Sequence, residues 1–243
     1  MTVGPKLYAH RGISARFPEN TVAAFRAARE EGCRAAELDV QLSADGVAVV
    51  FHDDDLQRLA ASPVRIAEAV WTALQMFGVG GYLAPRFSAE RIPTLEAALD
   101  AWGGAGEMNV ELKAVAPARR EALARTVARI LREKPGQYIV SSFDWELLRA
   151  YKRADAATAL GVLFAGDRWS QATAVAVELR AAALNCDVRA AQPAAVAAAR
   201  AAGYAVNVYT VNDPGLARSL FALGVTGVFS DDAAALARGL ERA

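Results

Sequence analysis

The chain has 243 residues, with 27 Lys and Arg set against 27 Asp and Glu, and is 54% hydrophobic and 22% charged. The balanced charge supplies no positive field to hold a polyanion by counterion release, so no nucleic acid partner is expected, and the apolar content excludes disorder. No run approaches the roughly 18 consecutive apolar residues of a membrane span, since even the Ala-rich stretch from Ala194 to Ala202 is broken by Arg200.

Residues 1–6 show no basic region leading into an apolar segment, so an unexported, cytoplasmic protein without stable membrane insertion is expected. Strand-like residues 7–12 come first. Thr21 then caps a helix over 22–31 that stops at Gly32. Strands over 36–42 and 47–52 are separated by Ser43-Ala44-Asp45-Gly46, which is too short for a helical crossover. Either these two strands diverge or the second extends the mouth of the sheet. The stretch from Asp53 to about Arg91 holds Pro63, Trp71, Gly78, Gly80, Gly81, Tyr82 and Pro85 without a clean period, and reads as an insertion over one mouth.

The alternation then becomes regular. A strand over 108–114 precedes a helix opened by Pro117 and running to Lys134, and a strand over 138–143 precedes a helix over 145–153 capped by Asp144. Strands over 159–164, 182–188, 205–211 and 225–230 complete the set. Between and after them, Pro193 starts a helix ending at Gly203, Asp213-Pro214 starts one ending at Gly224, and Asp231-Asp232 starts the last. Short apolar strands alternating with amphipathic helices predict an α/β fold, a (β/α)8 barrel formed by residues 1–243 as a single domain with an insertion at about 53–91. Cys33 and Cys186 lack CxxC or Cys/His spacing and are expected to be buried free thiols.

In such a barrel the loops after the strands build the active site, so polar residues at the C-terminal strand ends are the informative ones. They are concentrated here. The first strand ends in His10-Arg11-Gly12, the second carries Glu37-Leu38-Asp39, the third ends in His52-Asp53 and the fourth carries Glu111-Leu112-Lys113. Side chains two apart on a strand share a face, so Glu37 joins Asp39 and Glu111 joins Lys113, while Leu38 and Leu112 turn toward the helices. Both histidines of the chain fall in this set, beside acidic residues, and are read as functional. Glu37 and Asp39 either form structural ion pairs with Arg34 or Arg11, or converge with Glu111 on a cation. Three carboxylates without a thiolate favour Mg²⁺ or Ca²⁺ over zinc. A phosphodiester suits that charge set, because three carboxylates, one divalent ion, one phosphodiester and the cations Arg11 and Lys113 sum to neutrality.

His10-Arg11-Gly12, Pro18-Glu19-Asn20-Thr21, Glu37-x-Asp39, Phe51-His52-Asp53, Ile92-Pro93-Thr94-Leu95-Glu96, Glu111-Leu112-Lys113, Ser142-Phe143 and Val208-Tyr209-Thr210-Val211-Asn212 resemble, in order and spacing, the glycerophosphodiester phosphodiesterases. The resemblance extends over nearly the whole chain and implies a (β/α)8 barrel with a small insertion after the His-Asp motif. It further implies that Glu37, Asp39 and Glu111 bind a divalent metal, that His10 and His52 are the acid/base pair, and that Arg11 and Lys113 hold phosphate. The nucleophile is then water or the substrate's own glycerol hydroxyl, and analogy favours the second, through a cyclic phosphate. Tyr209 and Phe143 either stack on the alcohol part of the substrate or pack in the core. Thr21 reads as a helix cap and Pro18 as a loop stiffener, with Glu19 or Asn20 near the site as the alternative.

Two positions depart from the family pattern. Arg58 is followed by Leu59-Ala60-Ala61 where threonines are usual, and Tyr209 stands where a tryptophan is common, so the alcohol group is the open part of the assignment. The expected activity is metal-dependent hydrolysis of a small-molecule glycerophosphodiester to sn-glycerol 3-phosphate and an alcohol by a monomer or homodimer. The alternative is a related-barrel phosphodiesterase acting on intact or lyso-phospholipids.

Overall fold

The structure is a computed structural model and describes residues 4–242. Its strands are β1 (Lys6–His10), β2 (Ala35–Leu42), β3 (Ala48–Val50), β4 (Glu107–Leu112), β5 (Gln137–Ser142), β6 (Ala159–Phe164), β7 (Ala183–Asp187), β8 (Ala205–Tyr209) and β9 (Gly227–Ser230). All but β3 are parallel, in the order β1-β9-β8-β7-β6-β5-β4-β2, and the β1–β2 pairing closes the ring into an eight-stranded barrel. The ninth strand resolves the short Ser43–Gly46 connection: β3 folds back antiparallel on β2, with Val40 opposite Val50 and Leu42 opposite Ala48. It therefore lies at the mouth, outside the ring, and is shorter than the sequence pattern suggests, although the Phe51 N–H still donates to the Asp39 carbonyl oxygen of β2.

The helices are α1 (Val22–Glu30), α2 (Gln57–Ala60), α3 (Trp71–Leu74), α4 (Leu95–Trp102), α5 (Arg120–Glu133), α6 (Trp145–Ala154), α7 (Trp169–Leu179), α8 (Pro193–Ala201), α9 (Pro214–Ala222) and α10 (Ala233–Glu241). Their starts follow capping chemistry. Thr21, Asp144, Asp213 and Asp232 each accept a backbone N–H from the first turn of α1, α6, α9 and α10, as expected of short oxygen-bearing side chains at those positions. Pro117 opens a single 3₁₀ turn ahead of α5 rather than α5 itself. Four helices were not expected from the sequence, and α2 and α3 are single turns within the irregular 53–91 stretch. The N-terminus of α7 has no side-chain cap, and its apolar residues are not confined to one stripe, since Val177 is 64% exposed. Helix α4 is capped by Thr94, within the segment read as a motif rather than as an element.

The main core lies between strands and helices. Leu38, Val40, Leu112, Val140, Val162, Leu184, Val206 and Val228 are fully buried and belong to one cluster with Phe25, Leu95, Leu123, Val127, Leu147 and Leu148 of the helical layer. The inward strand faces are more polar. They carry Glu37, Asp39, Asn109, Glu111, Ser141, Asn185 and Asn207, and Tyr8 stacks on Phe229 at 4.6 Å between ring centroids. Residues between His52 and Thr94 hold α2 and α3, and their Leu56, Leu59, Ile66, Leu74, Val79 and Ile92 form a separate apolar cluster with Val49 and Phe51 at the end of β3. Gly80 lets this segment close on the barrel loop before α1, because a Cβ there would run into the Phe87 carbonyl oxygen and lie 2.9 Å from the Pro18 ring. Cys33 and Cys186 are free and buried, as expected, and burial pushes their thiols up to about 11 and about 12. Among the described residues no helix is long and apolar enough to cross a membrane.

Leu38, fully buried between barrel and helices, sets a stability test. Leu38→Ala is expected to cost about 2–5 kcal/mol in a denaturant titration, through lost transfer energy and the cavity left behind. Met76→Ser, at a site 79% exposed, is expected to change stability by less than about 0.5 kcal/mol.

Candidate active site

Strands β1, β2 and β4 are neighbours, and their register brings the charged residues together. His10 lies opposite Glu37, Glu37 opposite Asn109, and Asp39 opposite Glu111. After His10 the chain turns sharply, with Arg11 at φ 58° and Gly12 at φ 81°. A Cβ at Gly12 would sit 2.6 Å from the Ala24 side chain, so only glycine allows the close approach to α1 that this turn makes. The turn aims the Arg11 backbone N–H at Glu37 Oε2, 3.0 Å away, and swings the guanidinium back, with Nη1 donating to Glu19 Oε1 at 2.8 Å and Nε 3.2 Å from Asp39 Oδ2.

Glu37, Asp39 and Glu111 each offer an oxygen, all within 4.8 Å of one another. Three carboxylates so close and so little exposed to water repel one another unless positive charge compensates them. Two cations do part of this: Lys113 Nζ lies 2.8 Å from Glu111 Oε1 and 3.3 Å from Asp39 Oδ1, and Arg11 lies against Asp39. Asp39 also accepts from Asn20 Nδ2 at 2.8 Å. Burial works against ionised Asp39, but Lys113 and Arg11 overcome it and hold its pKa below the ordinary carboxylate range. Glu37 has no such partner. It is 3% exposed, the Arg11 backbone N–H is its hydrogen-bond donor among the described residues, and burial with the Asp39 charge pushes its pKa well up. Glu111 is raised too, by burial and then by Asp39. An all-oxygen donor set with one under-compensated buried carboxylate fits a hard divalent cation. The structural ion-pair alternative accounts for Asp39 with Arg11 but leaves Glu37 unexplained, and Arg34 takes no part, its guanidinium donating to the Ala105 carbonyl.

The two histidines flank this cluster, each moored through Nδ1. His10 Nδ1 is 2.8 Å from Asp231 Oδ1, and His52 Nδ1 is 2.6 Å from Asp53 Oδ1, which leaves each Nε2 for other partners. The settings differ. Burial disfavours charged His10, but the Asp231 hydrogen bond and the Glu37 charge outweigh it and raise its pKa. Burial lowers the pKa of His52, and Lys113 and Arg11 add to this against the pull of Asp39.

These groups border one cavity of about 220 Å³. Its polar side is formed by His10, Arg11, Glu37, His52, Glu111 and Lys113, with Asn109 among the lining residues, and its apolar side by Phe143, Leu163, Tyr209 and Phe229. Asp39 stands behind this lining at 1% exposure. Phe143 is 42% exposed and meets Tyr209 edge-on at 5.8 Å, and Tyr209 Oη donates to the Phe164 carbonyl oxygen at 2.7 Å. A larger groove of about 580 Å³, bordered by Lys6, Cys33, Arg34 and Glu107, borders neither the histidines nor the carboxylate cluster.

All nine residues singled out from the sequence thus meet around one centre. Of their further partners, Glu19 and Asn20 were expected only as an alternative and Asp231 was not. Thr21 caps α1 as expected, but Asn20 and Glu19 also join the site, Asn20 in a left-handed conformation that Asn tolerates and with its side chain on Asp39. Asp231 lies 221 positions from His10, and its second oxygen accepts from Asn212 Nδ2 at 2.7 Å. Only the Asp231-Asp232 pair at a strand end hinted at it, and one of that pair is the helix cap.

Comparison with known proteins agrees with this geometry. The profile of the glycerophosphoryl diester phosphodiesterase family matches residues 10–235. A glycerophosphodiester phosphodiesterase of Caldanaerobacter subterraneus is 33% identical over 160 residues, 64% of this chain and just under two thirds, 65%, of that protein. The glycerophosphodiester phosphodiesterase of Bacillus subtilis is 28% identical over 240 residues, 92% of this chain and 82% of that one. Among solved structures, an Oleispira antarctica phosphodiesterase in complex with the product sn-glycerol-3-phosphate superposes with a TM-score of 0.91 at 29% identity, covering 98% of this chain and 97% of that one. The chain belongs to the glycerophosphoryl diester phosphodiesterase family of enzymes.

Proposed function

We propose that this protein hydrolyses glycerophosphodiesters to sn-glycerol 3-phosphate and an alcohol, with His10 and His52 as the acid/base pair and a divalent cation, Mg²⁺ or Ca²⁺, held by Glu37, Asp39 and Glu111. The observation that carries this reading is the shared cavity: two Asp-moored imidazoles, two cationic side chains and the carboxylates Glu37 and Glu111 border the same 220 Å³, with Asp39 directly behind them. The similarity to a phosphodiesterase whose structure holds sn-glycerol-3-phosphate supports the substrate class.

Hydrolysis of a phosphodiester requires neutralised non-bridging oxygens, a deprotonated nucleophile and a protonated leaving alcohol. A bound cation supplies Lewis-acid neutralisation of the phosphate charge. The chain's own cations add to it. Lys113 Nζ spends two of its three donor positions on Glu111 and Asp39, which leaves one for phosphate. Arg11 uses Nη1 on Glu19 and turns Nε to Asp39, while Nη2 has no protein partner among the described residues. One imidazole takes the proton of the attacking oxygen and the other gives a proton to the leaving oxygen, each through Nε2. The Asp partners on Nδ1 fix the tautomer and steady the charged form. Phe143, Leu163 and Tyr209 form a wall for the alcohol group, with the edge-on Phe143–Tyr209 pair facing the opening.

Release of sn-glycerol 3-phosphate from a panel of glycerophosphodiesters tests the assignment. Turnover of intact or lyso-phospholipids with none of the panel would replace it with the phospholipase-type reading. His10→Ala and His52→Ala are each expected to lower kcat by about 10²-fold or more with the melting temperature retained, and wild-type turnover in either variant would refute the acid/base roles. Asp231→Asn, which keeps the shape but removes the charge facing His10, is expected to lower kcat with little change in KM. A wild-type kcat would contradict the orienting role. Mg²⁺ or Ca²⁺ at about 100 times its Kd is expected to stabilise the folded protein by about 2.7 kcal/mol in thermal denaturation, an effect absent from Glu37→Gln. An equal shift in that variant would remove Glu37 from the cation site.

A further inference from the structure

The two arms of the site come from different parts of the chain. His52 and Asp53 begin the segment that follows β3, whereas Arg11, Glu19 and Asn20 lie on the loop between β1 and α1. One side chain joins them. Arg58, at the second position of α2, donates from Nε to Asp53 Oδ2 at 2.7 Å and from Nη2 to Asp53 Oδ1 at 3.1 Å. The same guanidinium donates from Nη1 to Glu19 Oε2 at 2.7 Å and from Nη2 to Glu19 Oε1 at 2.8 Å. Asp53 in turn holds His52 Nδ1, and Glu19 holds Arg11 Nη1. Charges therefore alternate in an unbroken line from His52 through Asp53, Arg58, Glu19 and Arg11 to Asp39.

We propose that Arg58 is a positioning residue: by forking between Asp53 and Glu19 it sets the orientation of His52 and of Arg11 together, without touching substrate. This rests on the roles given above to His52 and Arg11. Arg58 does not line the catalytic cavity, so a direct part in phosphate binding is not what places it there. Its two partners need it. Glu19 Oε1 and Asp53 Oδ1 both bond to the single nitrogen Nη2, so without the guanidinium two carboxylates face each other at close range and repel. Each then pulls its own dependent group, the imidazole on one side and the Arg11 guanidinium on the other. A lysine cannot replace the fork, because its ammonium is a compact charge with no planar pair of donors to match two carboxylates at once.

The chain has only two histidines, so their imidazole Hε1 resonances can be told apart and assigned with His10→Ala. Turnover and NMR spectra of the wild type, Arg58→Ala and Arg58→Lys test the inference, each protein checked for a retained melting transition. In both variants kcat is expected to fall by about 10²-fold through the misplaced His52, with a smaller rise in KM through the displaced Arg11. The His52 resonance is expected to move in both while that of His10 stays. A rise in KM with kcat intact would make Arg58 a phosphate-binding group and overturn the inference. So would an unmoved His52 resonance, or wild-type turnover in Arg58→Lys. Absence of turnover on any glycerophosphodiester by the wild type would instead refute the proposed function, and the His52 resonance would still decide the role of Arg58.

Discussion

Everything in this site depends on the mutual repulsion of three carboxylates, two of them buried and the third, Glu111, largely so. Glu37, Asp39 and Glu111 bring oxygens within 4.8 Å of one another at the end of the barrel, where water cannot screen them well. Lys113 and Arg11 answer Asp39 and Glu111, Asn20 adds a neutral donor, and Glu37 is left with one backbone N–H. The barrel makes the arrangement obligatory. Inward alternation on β2 places Glu37 and Asp39 on one face, and parallel register sets Glu111 beside Asp39, while Leu38 and Leu112 anchor the same strands in the apolar layer outside. Moving the carboxylates apart would require breaking that core.

From this constraint follow the settings of the two imidazoles. His10 lies opposite Glu37 and is drawn toward its charged form, with Asp231 held by the neutral Asn212. His52 is drawn toward its neutral form by burial first and then by Lys113 and Arg11, against the pull of Asp39 and Asp53. Burial and hydrogen bonding likewise divide the acidic partners: Asp231 is lowered to about 2 against the cost of its burial, by the bonds from His10 and Asn212. Opposed environments for two similar groups in one cavity are what the proposed acid/base roles require.

Much of this was legible in the sequence because strand periodicity and helix capping carry it. The strand period of two marks Glu37 with Asp39 and Glu111 with Lys113 as same-face pairs, and capping residues such as Thr21, Asp144 and Asp213 mark helix starts. What escaped were long-range pairings. The bond from His10 to Asp231 depends on the ring closing between β1 and β9, which no local pattern contains. Arg58 and Glu19 meet across 39 positions through an irregular segment whose turns follow no period. Asn20 reads as part of a capping loop until the left-handed turn at that residue directs its amide to Asp39. The antiparallel β3 was left open for a related reason: a four-residue connection rules out a crossover but does not by itself say which face of β2 the chain returns to.

The central claim is that the carboxylate cluster holds a cation against which the phosphate is bound between the two imidazoles. A crystal structure with Ca²⁺ and sn-glycerol 3-phosphate, phased to show the calcium anomalous signal, tests it most directly. The account predicts an anomalous peak within about 2.3–2.6 Å of an oxygen from each of Glu37, Asp39 and Glu111, with the phosphate in the cavity between His10 and His52 and reached by Arg11 and Lys113. Calcium elsewhere with the phosphate still in the cavity, or phosphate bound away from both histidines, would contradict it.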